Sequence, residues 1–259
     1  MDQRMLINSM DMAHFVARGF LRLDAVVPRE INQAFLAALN LLEADRQALP
    51  ASHLSKLMEL EIIPEVPPGT KLEKVYVTGS PLDRMLKLPE VSGAIESLIG
   101  KDPVFDHHFL HLAFPEAAFK NNPERHVSQH LHQDSTIDPR KTFDIQVFYF
   151  PHAVTAVMGG TRFLPGSHFR IVSEAAISRY QNILGQESVV CPAGSVLIMH
   201  MGMWHGAGLN QSEHLRTLFK IRLCPTEHQE RLWDCTDLTQ DHFRQHPTFW
   251  TRNQKKDPV

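Results

Sequence analysis

The tripeptide His132-Gln133-Asp134, with His205 lying 71 residues past Asp134, constrains this chain more than any other feature. Side chains at i and i+2 of an extended strand leave the same face. His132 and Asp134 therefore converge on one point, an imidazole nitrogen beside a carboxylate oxygen. His205 reaches that point only from a distant strand, so the fold must lay remote strands against each other. Arg216 follows eleven residues past His205.

The surrounding pattern agrees with strands. Phe109 to Phe114 alternates, with Leu110, Leu112 and Phe114 on one face and Phe109, His111 and Ala113 on the other. Asp144 to Phe150 is rich in β-branched and aromatic residues, and Pro151 closes it. Ser195 to Met199 reads as a short apolar strand. Thr217 to Leu223 alternates again, with Thr217, Phe219, Ile221 and Leu223 on one face. Ahead of Gly100 the texture is helical. Residues 10–50 read as helix, where Pro28 suits a first turn and Ile31, Phe35, Leu39 and Leu42 make one apolar stripe running to Leu49. Residues 62–70 hold three prolines and a glycine and read as a loop that suits a lid, and 89–99 read as a second helix.

Helices followed by short strands with Gly/Pro turns predict a mainly β protein with flanking helices. The expected architecture is an antiparallel barrel or jelly roll with the N-terminal helices packed on one side. The expected organisation is a single domain over 1–259, with 1–100 as mainly helical support and lid, 101–225 as the β core and 226–259 as a C-terminal extension.

Composition removes several function classes. At 259 residues, with 43% apolar and 21% charged residues, the chain suits a globular protein with a sizeable core. A net charge of −3 leaves no basic footprint for nucleic acid. Cys191, Cys224 and Cys235 are odd in number and lack C-x-x-C spacing, which suggests neither a disulfide framework nor a zinc knuckle. No apolar run approaches the ~20 residues of a membrane span, and none opens the N-terminus as a signal would. A soluble, cytoplasmic protein with no membrane partner is expected.

Two histidines and one carboxylate suit Fe(II), because they leave one octahedral face open for a bidentate 2-oxoacid and O₂. The planar Arg216 guanidinium suits the remote carboxylate of such a cosubstrate. Several other residues compete for roles. His130 is in phase with His132 and reads as a pocket or supporting residue. His200 lacks the Gly turn and the arginine eleven residues on. His228-Gln229-Glu230 has ligand spacing but no strand pattern, and reads as surface. His168 reads as a structural hydrogen-bonding residue. His107, Phe109 and His111 share a face that reads as a partly solvated rim or as part of a substrate pocket. Phe148, Phe150 and Trp204 read as core rather than substrate stackers, and Lys120, Arg125 and His126 as a solvated loop or else as groups that meet an anionic substrate.

The chain resembles the phytanoyl-CoA dioxygenase family of Fe(II)/2-oxoglutarate oxygenases. The resemblance rests on His132-Gln133-Asp134, on the segment Gly159-Gly160-Thr161-Arg162-Phe163-Leu164-Pro165-Gly166-Ser167-His168, and on His205-Gly206 with Asn210 and Arg216. Gly19-Phe20-Leu21 in the helical start also fits. It implies a double-stranded β-helix, the cupin-like jelly roll. It places His132, Asp134 and His205 on iron and Arg216 on the distal carboxylate of 2-oxoglutarate. It also brings Gln129 and Thr161 to the cosubstrate, and Lys74 by analogy with some members. Ala207 departs from the pattern, since several relatives carry a serine there that hydrogen-bonds 2-oxoglutarate.

The implied activity is that of a dioxygenase, foremost a hydroxylase. It would oxidise an unactivated C–H bond of a small molecule, a natural product or lipid-like acid, and release succinate and CO₂. Asp134 speaks against halogenation, which in this fold needs a small residue there so that halide can reach iron. Two other readings stay open. One is a non-catalytic β-helix that senses a ligand or acts as a scaffold. The other is a metal-dependent oxygenase that does without 2-oxoglutarate, which would leave Arg216 with no obvious role.

Overall fold

The computed structural model of the chain describes residues 5–39, 63–134, 143–170, 177 and 181–225. Helix α1 (Ser9–Arg18) begins where Asn8 accepts the Asp11 N–H at 2.8 Å, and it ends at Gly19. Gly19 has φ +81°, and a Cβ there would lie 2.4 Å from the His168 ring, so only glycine serves at this turn. The chain leaves it directly as strand β1 (Phe20–Leu23). That strand falls within the stretch expected to be helical. Four residues are too few to show a period, and the sheet that they join decides their conformation.

Helix α2 (Arg29–Ala38) starts after Pro28 and buries Ile31 and Phe35, with Leu39 buried at its end. Leu42 and the expected continuation to Leu49 lie outside the described residues, as do His228-Gln229-Glu230 and Cys235. Two further helices follow the loop, α3 (Pro81–Leu86) and α4 (Pro89–Ile99), each with proline in its first turn, where its missing N–H costs nothing. Only α4 was foreseen.

The remaining strands are β2 (Val104–Ala113), β3 (Gln129–His132), β4 (Ile145–Phe150), β5 (Thr161–Phe163), β6 (Glu187–Ser188), β7 (Ser195–His200), β8 (His205–Ala207) and β9 (Arg216–Cys224). They form two antiparallel sheets, one ordered β1-β7-β4-β9-β2 and the other β3-β8-β5-β6. Mainly β with flanking helices is thus the architecture, a jelly roll of two facing sheets.

Alternation along the strands of the larger sheet separates two cores. Val147, Tyr149, Val196, Ile198, Phe219 and Ile221 pack on the helices with Phe35 and Leu39. Phe148, Phe150, Leu197, Met199 and Leu218 turn to the smaller sheet and meet Phe163 and Met203. Because β4 is covered on both faces, every residue in it is buried, and its sequence reads as a nearly continuous apolar run. The Tyr149 hydroxyl donates to Asn32 Oδ1 at 2.6 Å and ties α2 to the sheet, a buried bond worth about 1 kcal/mol. Among the described residues no helix is long and apolar enough to cross a membrane.

Candidate metal centre and active site

Strand register builds the centre. Strands β3 and β8 pair with His132 opposite His205, and the two rings approach to 4.5 Å between centroids. Asp134 lies just past β3. Its Oδ1 stands 3.1 Å from His132 Nε2 and 3.7 Å from His205 Nε2. The three ligand atoms lie within 4.8 Å of one another. Gln133 turns the other way, is buried, and donates from Nε2 to the Gly202 carbonyl at 3.0 Å. That bond ties the end of β3 to the turn leading into β8.

Both imidazoles are oriented from behind. His132 Nδ1 lies 3.0 Å from the His130 carbonyl oxygen, and His205 Nδ1 lies 2.9 Å from the Met203 carbonyl oxygen. An Nδ1–H held on a carbonyl leaves the Nε2 lone pair for a metal. Gly206 allows the strands to come this close. A Cβ there would sit 2.6 Å from the Gln129 carbonyl oxygen and 2.7 Å from that of His130.

The charge states suit a divalent cation. Burial pushes His205 down to about 4, which keeps it neutral as a ligand must be. Burial also presses His132 down, but the Asp134 hydrogen bond, the His130 carbonyl and the Asp134 charge together raise it. Burial would raise Asp134, yet His132, His205 and Lys220 hold it well below the usual carboxylate range. Three clustered donors, two with their far nitrogens already engaged, fit Fe(II) or a similar ion.

A cavity of about 230 Å³ opens in front of the triad, between the two sheets. Arg216 lines it, 5% exposed, with Nη1 donating to the Met158 carbonyl at 3.1 Å. Burial pushes its guanidinium down to about 10. Among the described residues it has no carboxylate partner, and a buried charge without one is costly, so an anionic ligand would stabilise it. Lys220 stands four residues along β9, with Nζ 2.6 Å from Asp134 Oδ2 and 5.4 Å from the centre of the Phe109 ring.

Residues 15–218 match the family model for phytanoyl-CoA dioxygenase (PhyH). The chain belongs to the PhyH family. A comparison with curated proteins returned no match. Solved structures share the fold of this PhyH protein. HygX from Streptomyces hygroscopicus, solved with nickel and 2-oxoglutarate bound, is 13% identical, with 90% of this chain and 92% of that chain covered and a TM-score of 0.57. SnoK, a non-heme alpha-ketoglutarate-dependent carbocyclase from nogalamycin biosynthesis, is 17% identical over 92% of this chain and 90% of its own, with a TM-score of 0.54. EvdMO1 is 18% identical with a TM-score of 0.56, and the match spans 83% of this chain but only 49% of that longer one.

The PhyH protein brings most of the expected residues together. Gln129 and Thr161 both line the cavity, each opposite Ala207 in the smaller sheet. Phe109 and His111 line it too, whereas His107 pairs with Asp106 at 2.9 Å and does not. Phe148 belongs to the core and also reaches the cavity, while Phe150 and Trp204 are buried. His168 makes the expected structural contact, Nε2 to the Val16 carbonyl at 3.0 Å, and His200 is buried beside it, away from the triad.

Three expectations change. Lys74 sits exposed in a short 3₁₀ turn, Leu72–Lys74, outside the cavity. The His130 ring is exposed, and its carbonyl rather than its imidazole supports His132. His126 is not a solvated loop residue, since its Nε2 lies 3.0 Å from the Asn210 carbonyl oxygen and its ring stacks on Phe119. Lys220 was missed altogether. Its signal was present: Arg216, Lys220 and Arg222 alternate with the apolar face of β9, and cations on the back of a core strand must face something polar.

Proposed function

We propose that this PhyH family member is an Fe(II)- and 2-oxoglutarate-dependent dioxygenase that hydroxylates an unactivated C–H bond of a small molecule. The observation that carries the reading is the placement of His132, Asp134 and His205 on a cavity that a buried Arg216 also lines. His132, Asp134 and His205 would hold the iron and leave one face open toward the cavity. Arg216 would take the distal carboxylate of 2-oxoglutarate, with Gln129 and Thr161 beside it. Held by these residues, iron and 2-oxoglutarate would supply O₂ activation coupled to decarboxylation to succinate and CO₂. The protein's share is to orient the ligands, keep His205 neutral and hold the substrate beside them. Asp134 fills the position that halide would need, which favours hydroxylation over halogen transfer.

The test is an anaerobic titration of Fe(II) and 2-oxoglutarate, read by the visible metal-to-ligand charge-transfer band. The band is expected in the parent and lost or strongly weakened in His132→Ala and Arg216→Met. Its absence from the folded parent protein would overturn the reading.

A further inference from the structure

We propose that Lys220 receives a negatively charged group of the substrate, so that the molecule oxidised here is a monoanion with an aromatic or apolar body. The inference rests on the oxygenase reading above. It starts from Lys220 itself, which is 5% exposed and lines the cavity. Its ammonium has three N–H donors, and Asp134 Oδ2 accepts one at 2.6 Å. Among the described residues no other acceptor takes the remaining two.

Asp134 is shared between two claims. Its Oδ1 faces both imidazoles and its Oδ2 faces Lys220, so one oxygen is left for a metal while the other stays on the ammonium. Charge bookkeeping then shows what is missing. The two positive charges of ferrous iron and the one of Arg216 cancel the single charge of Asp134 and the two of 2-oxoglutarate. Lys220 shares Asp134 with the metal, so the set as a whole is left with one buried positive charge in excess. Buried charge is costly unless compensated, and among the described residues Asp134 is the only carboxylate lining the cavity, which makes a substrate anion the candidate partner.

The wall around Lys220 is shaped for such a group. In the register of β2 against β9, Phe109 lies opposite Lys220, His111 opposite Leu218 and Ala113 opposite Arg216. Arg216 and Lys220 are four residues apart, their Cα atoms ~13 Å from each other at the usual rise of a strand. The distal cosubstrate carboxylate held at Arg216 is therefore not the one at Lys220, and the cosubstrate's other carboxylate is already counted against the metal. Phe109 is 52% exposed and offers an aromatic face at the cavity mouth. His111 Nε2 is buried and has no partner among the described residues, which leaves a neutral ring nitrogen for a polar atom of the same ligand. Burial pushes that histidine down to about 4, so it adds no charge of its own.

Benzoate and benzamide are the probes, matched in shape and different in charge. Each is titrated anaerobically into the Fe(II)-loaded protein under saturating 2-oxoglutarate, with the perturbation of the charge-transfer band as readout. Saturating cosubstrate keeps benzoate off Arg216. Benzoate is expected to act at a concentration at least ~10-fold lower than benzamide, since hydrogen bonds to charged groups are the stronger kind. Lys220→Met should bring the ratio close to one, and Lys220→Arg should keep most of the preference. Equal responses in the parent overturn the inference without needing either variant. A Lys220→Met protein that keeps the preference, or one that loses 2-oxoglutarate affinity while the parent shows no preference, overturns it as well. Absence of the band in the parent instead removes the oxygenase reading, so the two failures are distinct.

Discussion

Replacing Gly206 by alanine tests whether the close approach of β3 and β8 sets metal affinity. The new Cβ would lie 2.6 Å from the Gln129 carbonyl oxygen, 2.7 Å from the His130 carbonyl oxygen and 2.9 Å from the His130 carbonyl carbon. Ordinary contact begins near 3.4 Å, so the two backbones must part by about 0.8 Å, and no flexible side chain stands there to yield. His132 and His205 sit one on each of these strands, directly opposite. Metal–ligand distances tolerate a drift of only ~0.2 Å. The same movement pulls at the His130 carbonyl that orients His132.

Overpacking by itself should cost about 1–3 kcal/mol of stability. The lost ligand geometry should cost ~10–100-fold in metal affinity. Calorimetric titration with Mn(II), which avoids iron oxidation, measures the second quantity, and thermal melting in a chelator measures the first. Gly185→Ala is the control, because φ is +87° there and no atom lies within 4 Å of a new Cβ. It should lose stability through backbone strain and keep its metal affinity. A Gly206→Ala protein that binds Mn(II) within about threefold of the parent would refute the reasoning.

Asp134→Ala removes one ligand and leaves the Lys220 ammonium unpaired, so succinate formation should be abolished or strongly reduced, and near-normal turnover would sink the assignment. Ala207→Ser places a hydroxyl between Gln129 and Thr161 at the cavity wall. One added hydrogen bond of about 1 kcal/mol should tighten 2-oxoglutarate ~5-fold in the charge-transfer titration, and no change or a loss would argue that the cosubstrate lies elsewhere. His200 is pushed down to about 4 by burial, with nearby His168 adding to the effect. Its unfolded form takes up a proton near pH 6.5 and its folded form does not until about 4, so folding stability falls as pH drops through that window. The contribution is on the order of 3 kcal/mol, and His200→Gln should flatten the decline by that share in urea unfolding between pH 7 and 4. An unchanged slope would contradict it; the other buried histidines keep their shares in both proteins.

The metal centre was legible because its geometry is written in short-range periodicity. An i, i+2 spacing at the end of a strand predicts His132 and Asp134 on one side, and the structure keeps them together although Asp134 lies just past β3. The apolar face of β9 was legible for the same reason. Strand β1 was not, because Phe20-Leu21-Arg22-Leu23 carries no period and owes its pairing to β7, far along the chain. The alternation of β9 marks Lys220 as a cation that must meet something polar, but that its partner is Asp134 depends on which sheet faces which, a fact of tertiary packing. The supporting carbonyls of His130 and Met203 were beyond reach altogether, since backbone atoms leave no mark in the residue type. Lys74 illustrates the opposite error, where a resemblance in sequence position carried over a role that the fold does not place in the cavity.

The alternation of β9 has a consequence for how such a protein can change. Phe219, Ile221 and Leu223 carry the packing against the other side of the sheet, while Arg216 and Lys220 line the cavity. Neighbouring positions in the chain thus answer to different selections, one for staying folded and one for what is bound. Substitution at position 220 can retune the accepted ligand while the positions on either side go on holding the sheet together. A single deletion within the strand would exchange the two sets and forfeit both at once. New substrates are open to this scaffold by replacement, and closed to it by a shift of frame.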